Sequence, residues 1–341
     1  MNNKDNLIEK FDYKFPKELI ANKPPNVRDL AKLLVYDRES DKVSSTHFNK
    51  LEKFIKPGSV MVFNQTKVIQ AKLTLKKHTG GLVEILYLGS KGPDWHILAN
   101  RSLKIGDRLF FGKRCFRVMS KLEKGLLIHP EFRVENAMLY LEKYGQTPLP
   151  PYIKTKNKSA KSNYQTIFAK QLGSVAAPTA SLHFTKRLLR SLKKHRVKIC
   201  FITLHVNLGT FAPLTLDQIR LRKLHEETYE IPAKTIKILE TAHRKNAPII
   251  AVGTTVVRTL ESAFNQKGLC DKPKGTTTLF INENTKIKMV NQLITNFHVP
   301  KSSLLMLVSA FVGREKLLSL YNIAIGKKYR LFSFGDGMFV K

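Results

Sequence analysis

The chain is short of cysteine and has no long hydrophobic run. Its three cysteines, Cys115, Cys200 and Cys270, lie far apart in 341 residues. Such a dispersed, odd set without a C-x-x-C pair argues against a disulfide framework or a zinc knuckle and indicates a reducing compartment, so we expect a cytoplasmic protein. The N-terminus lacks the apolar core of a signal peptide, and no run approaches the ~20 apolar residues of a transmembrane helix.

Carboxylates are also scarce. Lys and Arg number 59 against 26 Asp and Glu, a formal net charge of +33. No carboxylate occurs between Glu142 and Asp217, a span with 13 Lys or Arg. An excess of this size predicts a polyanionic partner, most simply nucleic acid. However, 43 of the basic residues are Lys and only 16 are Arg. Bidentate phosphate contacts favour Arg, so compositional drift toward AT-rich codons is an alternative, and both explanations stay open.

Several common catalytic motifs are absent. The sequence contains no G-x-G-x-x-G, no G-x-x-x-x-G-K-[ST] and no H-E-x-x-H. These absences disfavour a dinucleotide-binding fold, an ordinary glycine-rich methyltransferase loop, a P-loop NTPase and a zincin. The ten histidines form no tight cluster in sequence, and we therefore expect no metal.

The pattern of short apolar runs changes along the chain. Residues 61–135 contain short β runs separated by glycine turns, which predicts a small antiparallel β-barrel. The Pro-Leu-Pro-Pro segment at 148–151 is typical of a stiff connector. From Thr185 onward helices and strands alternate, ending in a strand at 330–334. This alternation predicts a layered α/β domain with mostly parallel strands.

Four turns rich in small and hydroxyl side chains follow predicted strands. They occupy 173–184, 203–211, 252–261 and 293–302. Because loops at the carboxyl ends of parallel strands converge on one crevice, we expect these turns to form a single site. Each also has a purely structural explanation. A lone histidine after a strand is often a hydrogen-bonded core residue, and Gly-Thr-Thr can serve only as a helix cap.

The third turn runs from a buried strand through Gly253, Thr254 and Thr255 into a helix. Free N–H groups at a helix start suit a carboxylate or a phosphate. Arg258 and Glu261 lie three residues apart on this helix and can pair on one of its faces. An exposed pair of this kind would contribute little to stability.

These segments also resemble a known family. The similarity covers the four turns, the ending at 329–336, the N-terminal part of the chain and the blocks 64–69, 144–153 and 164–166, in the expected order over almost the whole chain. Together they resemble the S-adenosylmethionine:tRNA ribosyltransferase-isomerase family of queuosine biosynthesis. The resemblance implies an α/β domain formed by 1–60 and 151–341, with a β-barrel domain inserted at 61–150.

The resemblance also implies an activity. Members of this family transfer and isomerise the ribosyl group of S-adenosylmethionine onto 7-aminomethyl-7-deazaguanine at the wobble position of tRNA. The product is epoxyqueuosine, and adenine and methionine are released. S-adenosylmethionine would be a cosubstrate and tRNA the polyanionic partner. We expect a monomer.

Candidate roles follow from this chemistry, which needs a general base, an acid for the leaving adenine and a protected site. The acid–base candidates are His183, His205, His225, Glu227 and His298. The candidates for holding S-adenosylmethionine are Thr179, Gly209, Thr210, Gly253, Thr254, Thr255, Arg258, Glu261 and Asn296. The candidates for tRNA contact are Tyr152, Lys154, Tyr164, Gln165, Lys186 and Arg187.

Some positions depart from the family pattern. Gly is expected at Ser181, Gly-Ala at 207–208, Asp at Gln65 and Asn291, and Arg at Lys72 and Lys154. Bulk at 207–208 would narrow the cosubstrate pocket. Two alternatives therefore stay open. One is a non-catalytic tRNA-binding relative, and the other is a tRNA methyltransferase, against which the missing glycine-rich loop argues.

Overall fold

A computed structural model describes residues 5–153, 160–206 and 214–341. The chain divides into two compact units. One comprises Met1–Lys67, Pro150–Asn157 and Asn163–Lys341, and the other comprises Val68–Leu149 and Lys158–Ser162. The larger unit contains a mixed sheet with helices, and the smaller contains a closed β-barrel. The predicted fold class, a layered α/β domain with a small antiparallel β-barrel, is confirmed.

In the described residues, the sheet of the larger unit has nine strands in the order β15-β13-β12-β3-β14-β16-β17-β1-β2. Their bounds are β1 Lys32–Asp37, β2 Lys42–His47, β3 Val60–Asn64, β12 Lys198–Leu204, β13 Lys223–Glu230, β14 Ile249–Val252, β15 Lys274–Leu279, β16 Gln292–Asn296 and β17 Gly337–Val340. A second, two-stranded sheet pairs β4, Thr66–Val68, with β11, Gln171–Ser174.

The pairing of these strands corrects one expectation. Strands β12, β3, β14 and β16 are parallel neighbours, and β17 is parallel to β1. The remaining neighbours in the sheet are antiparallel. The sheet is therefore mixed rather than mostly parallel. The predicted strand at 330–334 is also wrong: Leu331 forms only an isolated bridge with Ile20, and the last strand is β17.

The sequence predicts helices that begin near residues 185, 233, 254 and 302, and these four are confirmed, whereas it does not predict the other helices of the described residues. The helices are α1 Asp5–Glu9, α2 Ala137–Tyr144, α3 Ala160–Asn163, α4 Lys186–Lys194, α5 Leu216–Leu221, α6 Ala233–Arg244, α7 Thr254–Ala263, α8 Ser303–Val312 and α9 Arg314–Gly326. Short 3-10 helices occupy Lys17–Leu19, Arg28–Leu30, Phe48–Phe54 and Thr179–His183. The predicted cap of α4 is confirmed, because the Thr185 hydroxyl accepts the Leu188 N–H at 3.1 Å.

Both faces of the large sheet are covered by helices, and alternate residues of β3 pack on opposite faces. Val60 and Val62 pack with α6, α7, α8 and α9 on one face. Met61 and Phe63 pack on the other face with α4 and the 3-10 helix Phe48–Phe54. Successive strand residues point to opposite faces, so a strand buried on both faces is a continuous apolar run. The sequence Val-Met-Val-Phe in β3 has this property.

The barrel of the smaller unit closes in the order β10-β7-β6-β5-β8-β9. Its strands are β5 Lys72–Lys77, β6 Leu82–Lys91, β7 Asp94–Ala99, β8 Arg108–Phe111, β9 Arg114–Lys121 and β10 Leu126–Pro130. Alternate residues fill the interior, and α2 adds Tyr140 and Leu141 to the same core. Trp95, which is 2% exposed, lies 5.3 Å from the Phe116 ring and 5.6 Å from the Tyr140 ring.

The boundary between the units differs from the expected one. Residues 61–67 were expected in the barrel, but β3 is a central strand of the large sheet, and the smaller unit begins at Val68. The sheet neighbours of β3, β12 and β14, lie far away in sequence. The apolar run of β3 therefore does not by itself indicate which unit this strand belongs to. That the two units are independent folding domains stays a prediction.

Candidate active-site cavity

A cavity of about 320 Å³ lies in the larger unit, where the central parallel strands end. This volume is within the range of pockets that hold small molecules, and the carboxyl edge of parallel strands is their usual place. Among the residues with predicted roles, those that line the cavity are Tyr152, Tyr164, Thr179, Gly253, Thr254, Thr255, Asn296 and His298. The turns that begin at 173, 252 and 293 therefore meet, as expected.

The other predicted site residues lie elsewhere or outside the described part of the chain. Those described but not lining the cavity are His183, His205, His225, Glu227, Arg258, Glu261, Gln165, Lys186 and Arg187. Lys154, Gly209 and Thr210, together with the departures at 207–208, fall outside the described residues.

Two helix N-termini border the cavity. Helix α7 begins at Thr254 after Gly253, whose φ of 97° is a conformation that side chains with a Cβ rarely adopt. No side chain caps this helix. Helix α8 begins after Ser302, whose hydroxyl accepts the Leu305 N–H at 3.2 Å. The positive ends of two helices favour a negatively charged ligand group in this cavity.

His298 is held from three sides at the cavity wall. Its Nε2 lies 2.8 Å from the Thr295 hydroxyl. Its backbone N–H donates to the Tyr321 hydroxyl at 2.8 Å, and its carbonyl accepts from the Tyr13 hydroxyl. Burial lowers the pKa of His298 to about 3, since a low-dielectric surrounding penalises the charged ring. The imidazole is therefore neutral and fixed in position.

Two other predicted histidines lie near the cavity but not on its wall. His205 Nδ1 is 2.8 Å from the Thr66 hydroxyl, and burial lowers the pKa of this ring. His183 is 3% exposed and stacks on Phe48 with ring centroids 4.2 Å apart. Its Nε2 lies 3.2 Å from Nδ2 of Asn296. His225 is half-buried in β13.

The charged residues of α7 do not pair with each other. Arg258 pairs instead with the buried Glu227 of β13 and donates from Nε to the Leu279 carbonyl at 3.1 Å. Glu261 accepts the backbone N–H groups of Lys288, Met289 and Val290 at 2.7–3.1 Å. The anticipated Arg258–Glu261 pair is wrong because both side chains turn inward. Each anchors α7 to a neighbouring segment, a contact that the spacing along one helix does not reveal.

The residues proposed for tRNA contact have different surroundings. The Tyr152 hydroxyl lies 2.6 Å from the Ser333 hydroxyl, and the ring is half-buried. Tyr164 is fully buried and packs edge-on against Phe334, so it offers no open face for stacking. The Gln165 carbonyl accepts from Arg28 at 2.8 Å. Arg187 pairs with the buried Asp29 at 2.6 Å, whereas Lys186 is exposed at the start of α4.

Sequence reasoning missed part of the cavity wall. Phe332 and Ser333 line it, as do Ala176, Ala177 and Phe297. Phe332 has a φ of 71°, an uncommon value for a residue other than glycine, and such conformations cluster at functional sites. For Phe332 and Ser333 the signal in the sequence is that 329–336 belongs to the resembling segments, whereas the other three lie in the small-residue turns 173–184 and 293–302.

The departures from the family pattern have different surroundings where the structure describes them. Ser181 is fully buried and does not line the cavity, and its hydroxyl has no hydrogen-bond partner among the described residues. Asn291 Oδ1 accepts the Ile249 N–H at 2.8 Å, a role that a carboxylate oxygen would also fill. Lys72 pairs with Glu84 at 2.7 Å on the barrel. Gln65 donates to the Thr203 hydroxyl at 3.3 Å.

Within the described ranges, no group of three or more His, Cys, Asp or Glu side chains is arranged to hold a metal ion. The same ranges contain no helix with the length and apolar character needed to span a membrane.

Comparisons with known proteins agree over the whole length of the chain. A family model described as queuosine biosynthesis protein matches residues 8–340. A Carboxydothermus hydrogenoformans protein named S-adenosylmethionine:tRNA ribosyltransferase-isomerase is 44% identical over 98% of this chain and 99% of its own length. Relatives of the same name in Clostridium kluyveri and Staphylococcus aureus are 42% and 41% identical with equal coverage.

A solved structure gives the same picture. The Thermotoga maritima S-adenosylmethionine tRNA ribosyltransferase is 30% identical, with a TM-score of 0.56 over 97% of this chain and all of that one. The similarity in sequence thus extends through the barrel and the cavity-bearing unit alike. The chain belongs to the queuosine biosynthesis protein family.

Proposed function

We propose that this protein is a cytoplasmic S-adenosylmethionine:tRNA ribosyltransferase-isomerase. It moves the ribosyl group of S-adenosylmethionine onto 7-aminomethyl-7-deazaguanine at the tRNA wobble position and releases adenine and methionine. The observation that carries the proposal is identity of 41–44% over 98% of the chain to proteins of that name. The geometry supports it, because the part of the chain covered by this identity includes a cavity of a volume suited to a small molecule.

The cavity suits S-adenosylmethionine in its charge distribution. The methionine carboxylate is the anionic group of this cosubstrate, and the first residues of α7, Thr254 and Thr255, which no side chain caps, offer backbone N–H groups for an anion. The small residues Ala176 and Ala177 and the ring of Phe297 line the same cavity. Apolar walls with a few polar groups are typical of nucleoside pockets.

The chemistry needs a neutral proton acceptor beside the sulfonium-bearing ribose. A sulfonium acidifies the adjacent ribose protons, and a positioned base must remove one. We assign this role to His298, because it is the one of the acid–base candidates among the described residues that lines the cavity. Tyr13 and Tyr321 fix the backbone of His298, and the Thr295 hydroxyl, 2.8 Å from Nε2, orients the imidazole.

tRNA would approach along basic surface of the same unit. Helix α4 carries Lys186, Arg190 and Lys193 on its exposed side, opposite the buried Leu188 and Leu192. This helix starts seven residues after Thr179, which lines the cavity. We assign α4 to backbone phosphate contact and Tyr152 to the splayed wobble base, which must leave its stack to be modified.

The decisive experiment incubates the purified protein with S-adenosylmethionine and tRNA that carries the 7-deazaguanine precursor. Mass spectrometry then identifies the digested nucleosides and the small-molecule products. We expect epoxyqueuosine with adenine and methionine in equal amounts. S-adenosylhomocysteine with a methylated nucleoside would instead identify a methyltransferase. Bound tRNA without any product would identify a non-catalytic relative.

A further inference from the structure

The side chain of Asn296 is arranged unusually at the end of β16. It is 2% exposed and lines the cavity. Its Nδ2 lies 3.2 Å from His183 Nε2 and 3.4 Å from the Asp336 carbonyl oxygen. Its Oδ1 is buried without a hydrogen-bond partner among the described residues. A buried acceptor that is left unsatisfied costs free energy unless a ligand or water completes it.

The orientation of this amide follows from its neighbours. A backbone carbonyl can only accept, so the NH₂ group of Asn296 must be the end that faces Asp336. The same NH₂ group then faces His183 Nε2, which must accept, and the ring proton lies on Nδ1. Burial, together with Arg330 and Arg28, lowers the pKa of His183 to about 3. The neutral ring is thus a stable acceptor, and Oδ1 is the atom of this cavity-lining side chain that is left without a partner among the described residues.

Further contacts fix both partners of this amide. The Asp336 carboxylate accepts the backbone N–H groups of Lys32 and Arg330 at 2.9 and 2.8 Å, which holds its own carbonyl in place. Phe48 stacks on His183 at 4.2 Å. Gly337 leaves room for Phe48, since a Cβ there would come within 2.7 Å of the ring. The Gly-Asp-Gly segment at 335–337 therefore supports the asparagine.

The strand that carries Asn296 is paired with the strand that leads into α7. In the β14–β16 pairing Val252 is opposite Ile294, and the Gly253 N–H donates to the Ile294 carbonyl at 2.8 Å. The first turn of α7 therefore adjoins Asn296. Its free N–H groups favour a carboxylate, and a neighbouring amide oxygen favours an N–H donor. An α-amino acid presents both groups on one carbon.

We propose that Asn296 Oδ1 accepts a hydrogen bond from the α-ammonium group of the methionine part of S-adenosylmethionine, and that His183 is a positioning residue for Asn296 rather than an acid or base. The carboxylate of the same group binds the start of α7. This inference rests on the proposed function. Under this inference His183 takes no part in proton transfer, and the 335–337 segment contributes to cosubstrate binding by holding Asn296 in place.

Calorimetric binding of two probes tests the inference without turnover. The probes are S-adenosylmethionine and 5′-methylthioadenosine, which has the adenosine half and no amino acid. We expect Asn296→Ala to weaken S-adenosylmethionine binding about ten- to a hundredfold, as for a hydrogen bond to a charged group, and to leave methylthioadenosine binding unchanged. Asn291→Ala, at the residue just before the same strand, is the matched control and should change neither affinity.

Other outcomes overturn the inference. An equal loss of affinity for both probes would place Oδ1 on the adenine, and no loss for either would leave the acceptor unused. A wild-type protein that binds neither probe would overturn it together with the proposed function. If the variants show the expected affinities but the wild-type protein yields no epoxyqueuosine, the proposed function alone is overturned.

The role of His183 has its own tests. In His183→Phe the aromatic stack on Phe48 is kept and the acceptor is lost. We expect KM for S-adenosylmethionine to rise about three- to tenfold with kcat within about threefold of wild type. A hundredfold fall in kcat would assign acid–base catalysis to His183 instead. Nitrogen NMR of the wild-type protein at pH 7 needs no variant: an Nε2–H tautomer at His183 would contradict the proposal.

Discussion

At the scale of single residues, His298 combines a neutral ring with three fixed contacts at the cavity wall. We expect His298→Gln to reduce kcat at least about a hundredfold, the usual range for losing a general base, while S-adenosylmethionine binding changes little. Single-turnover adenine release and calorimetry measure the two effects. His78→Gln, an exposed substitution on the barrel, is the control. Retained turnover in His298→Gln would show that another group removes the ribose proton.

The buried His183 also makes stability depend on pH. Its pKa is lowered from 6.5 to about 3 in the folded protein, so the unfolded chain binds the proton more readily between these values. The contribution of neutral His183 to the free energy of unfolding is therefore fully present above pH 6.5. Between pH 6.5 and pH 3 the free energy of unfolding falls by up to about 1.4 kcal/mol per pH unit.

Replacing His183 removes this linkage. The free energy of unfolding of His183→Phe, measured with urea between pH 7 and pH 4, should fall less steeply than that of the wild type. The comparison is made between slopes, because the substitution also changes stability at pH 7. Parallel curves for the two proteins would mean that His183 carries a proton in the folded state.

At the scale of the element, α4 is a basic helix with one buried edge. Lys186, Arg190 and Lys193 follow each other at helical spacing on its exposed side. If they contact tRNA phosphates, their joint replacement by Glu should weaken tRNA binding and lower the salt dependence of log Kd by about one per lost contact. Titrations at several salt concentrations measure both quantities.

Helix α6 supplies a matched control for this experiment. It packs on the opposite face of the sheet, and Lys234, Lys237 and Arg244 are exposed on it. Their replacement by Glu changes the net charge by the same amount. If the two triple variants lose equal affinity, the effect belongs to the total charge of +33 rather than to α4.

At the scale of the whole molecule, the two units can be followed separately. Trp95 is the single tryptophan, and it is buried in the barrel core. Tryptophan fluorescence therefore reports the barrel alone, whereas S-adenosylmethionine binding reports the sheet unit. We expect Leu188→Ala, which opens a cavity under α4, to lower the stability of the sheet unit by about 2–5 kcal/mol and to leave the midpoint of the fluorescence transition unchanged.

The barrel provides the reciprocal variant. Ile97→Ala, in the fully buried core of the barrel, should lower the fluorescence midpoint in guanidinium and leave binding at low denaturant intact. Equal shifts of both signals in both variants would show a single cooperative transition, and the prediction of two folding domains would be wrong.

The sequence alone determined much of this arrangement. Alternating and continuous apolar runs predicted most helices and strands from 185 onward, because a strand buried on two faces and a helix with one apolar stripe have different periods. The small-residue turns marked the segments that meet at the cavity, and Thr185 marked the start of α4. Turns and helix caps depend on residues that are neighbours in sequence, and the sequence therefore predicts them.

Tertiary structure decided the rest. Strand direction at the edges of the sheet, the inclusion of β3 in it and the partners of Arg258 and Glu261 depend on segments distant in sequence. The different positions of two histidines also depend on distant segments: His298 lines the cavity, whereas His183 contacts the Asn296 amide. Both follow small-residue turns and are chemically identical. Burial, neighbouring carbonyls and the available acceptors set the proton and orientation of each ring, and only the folded chain brings those groups together.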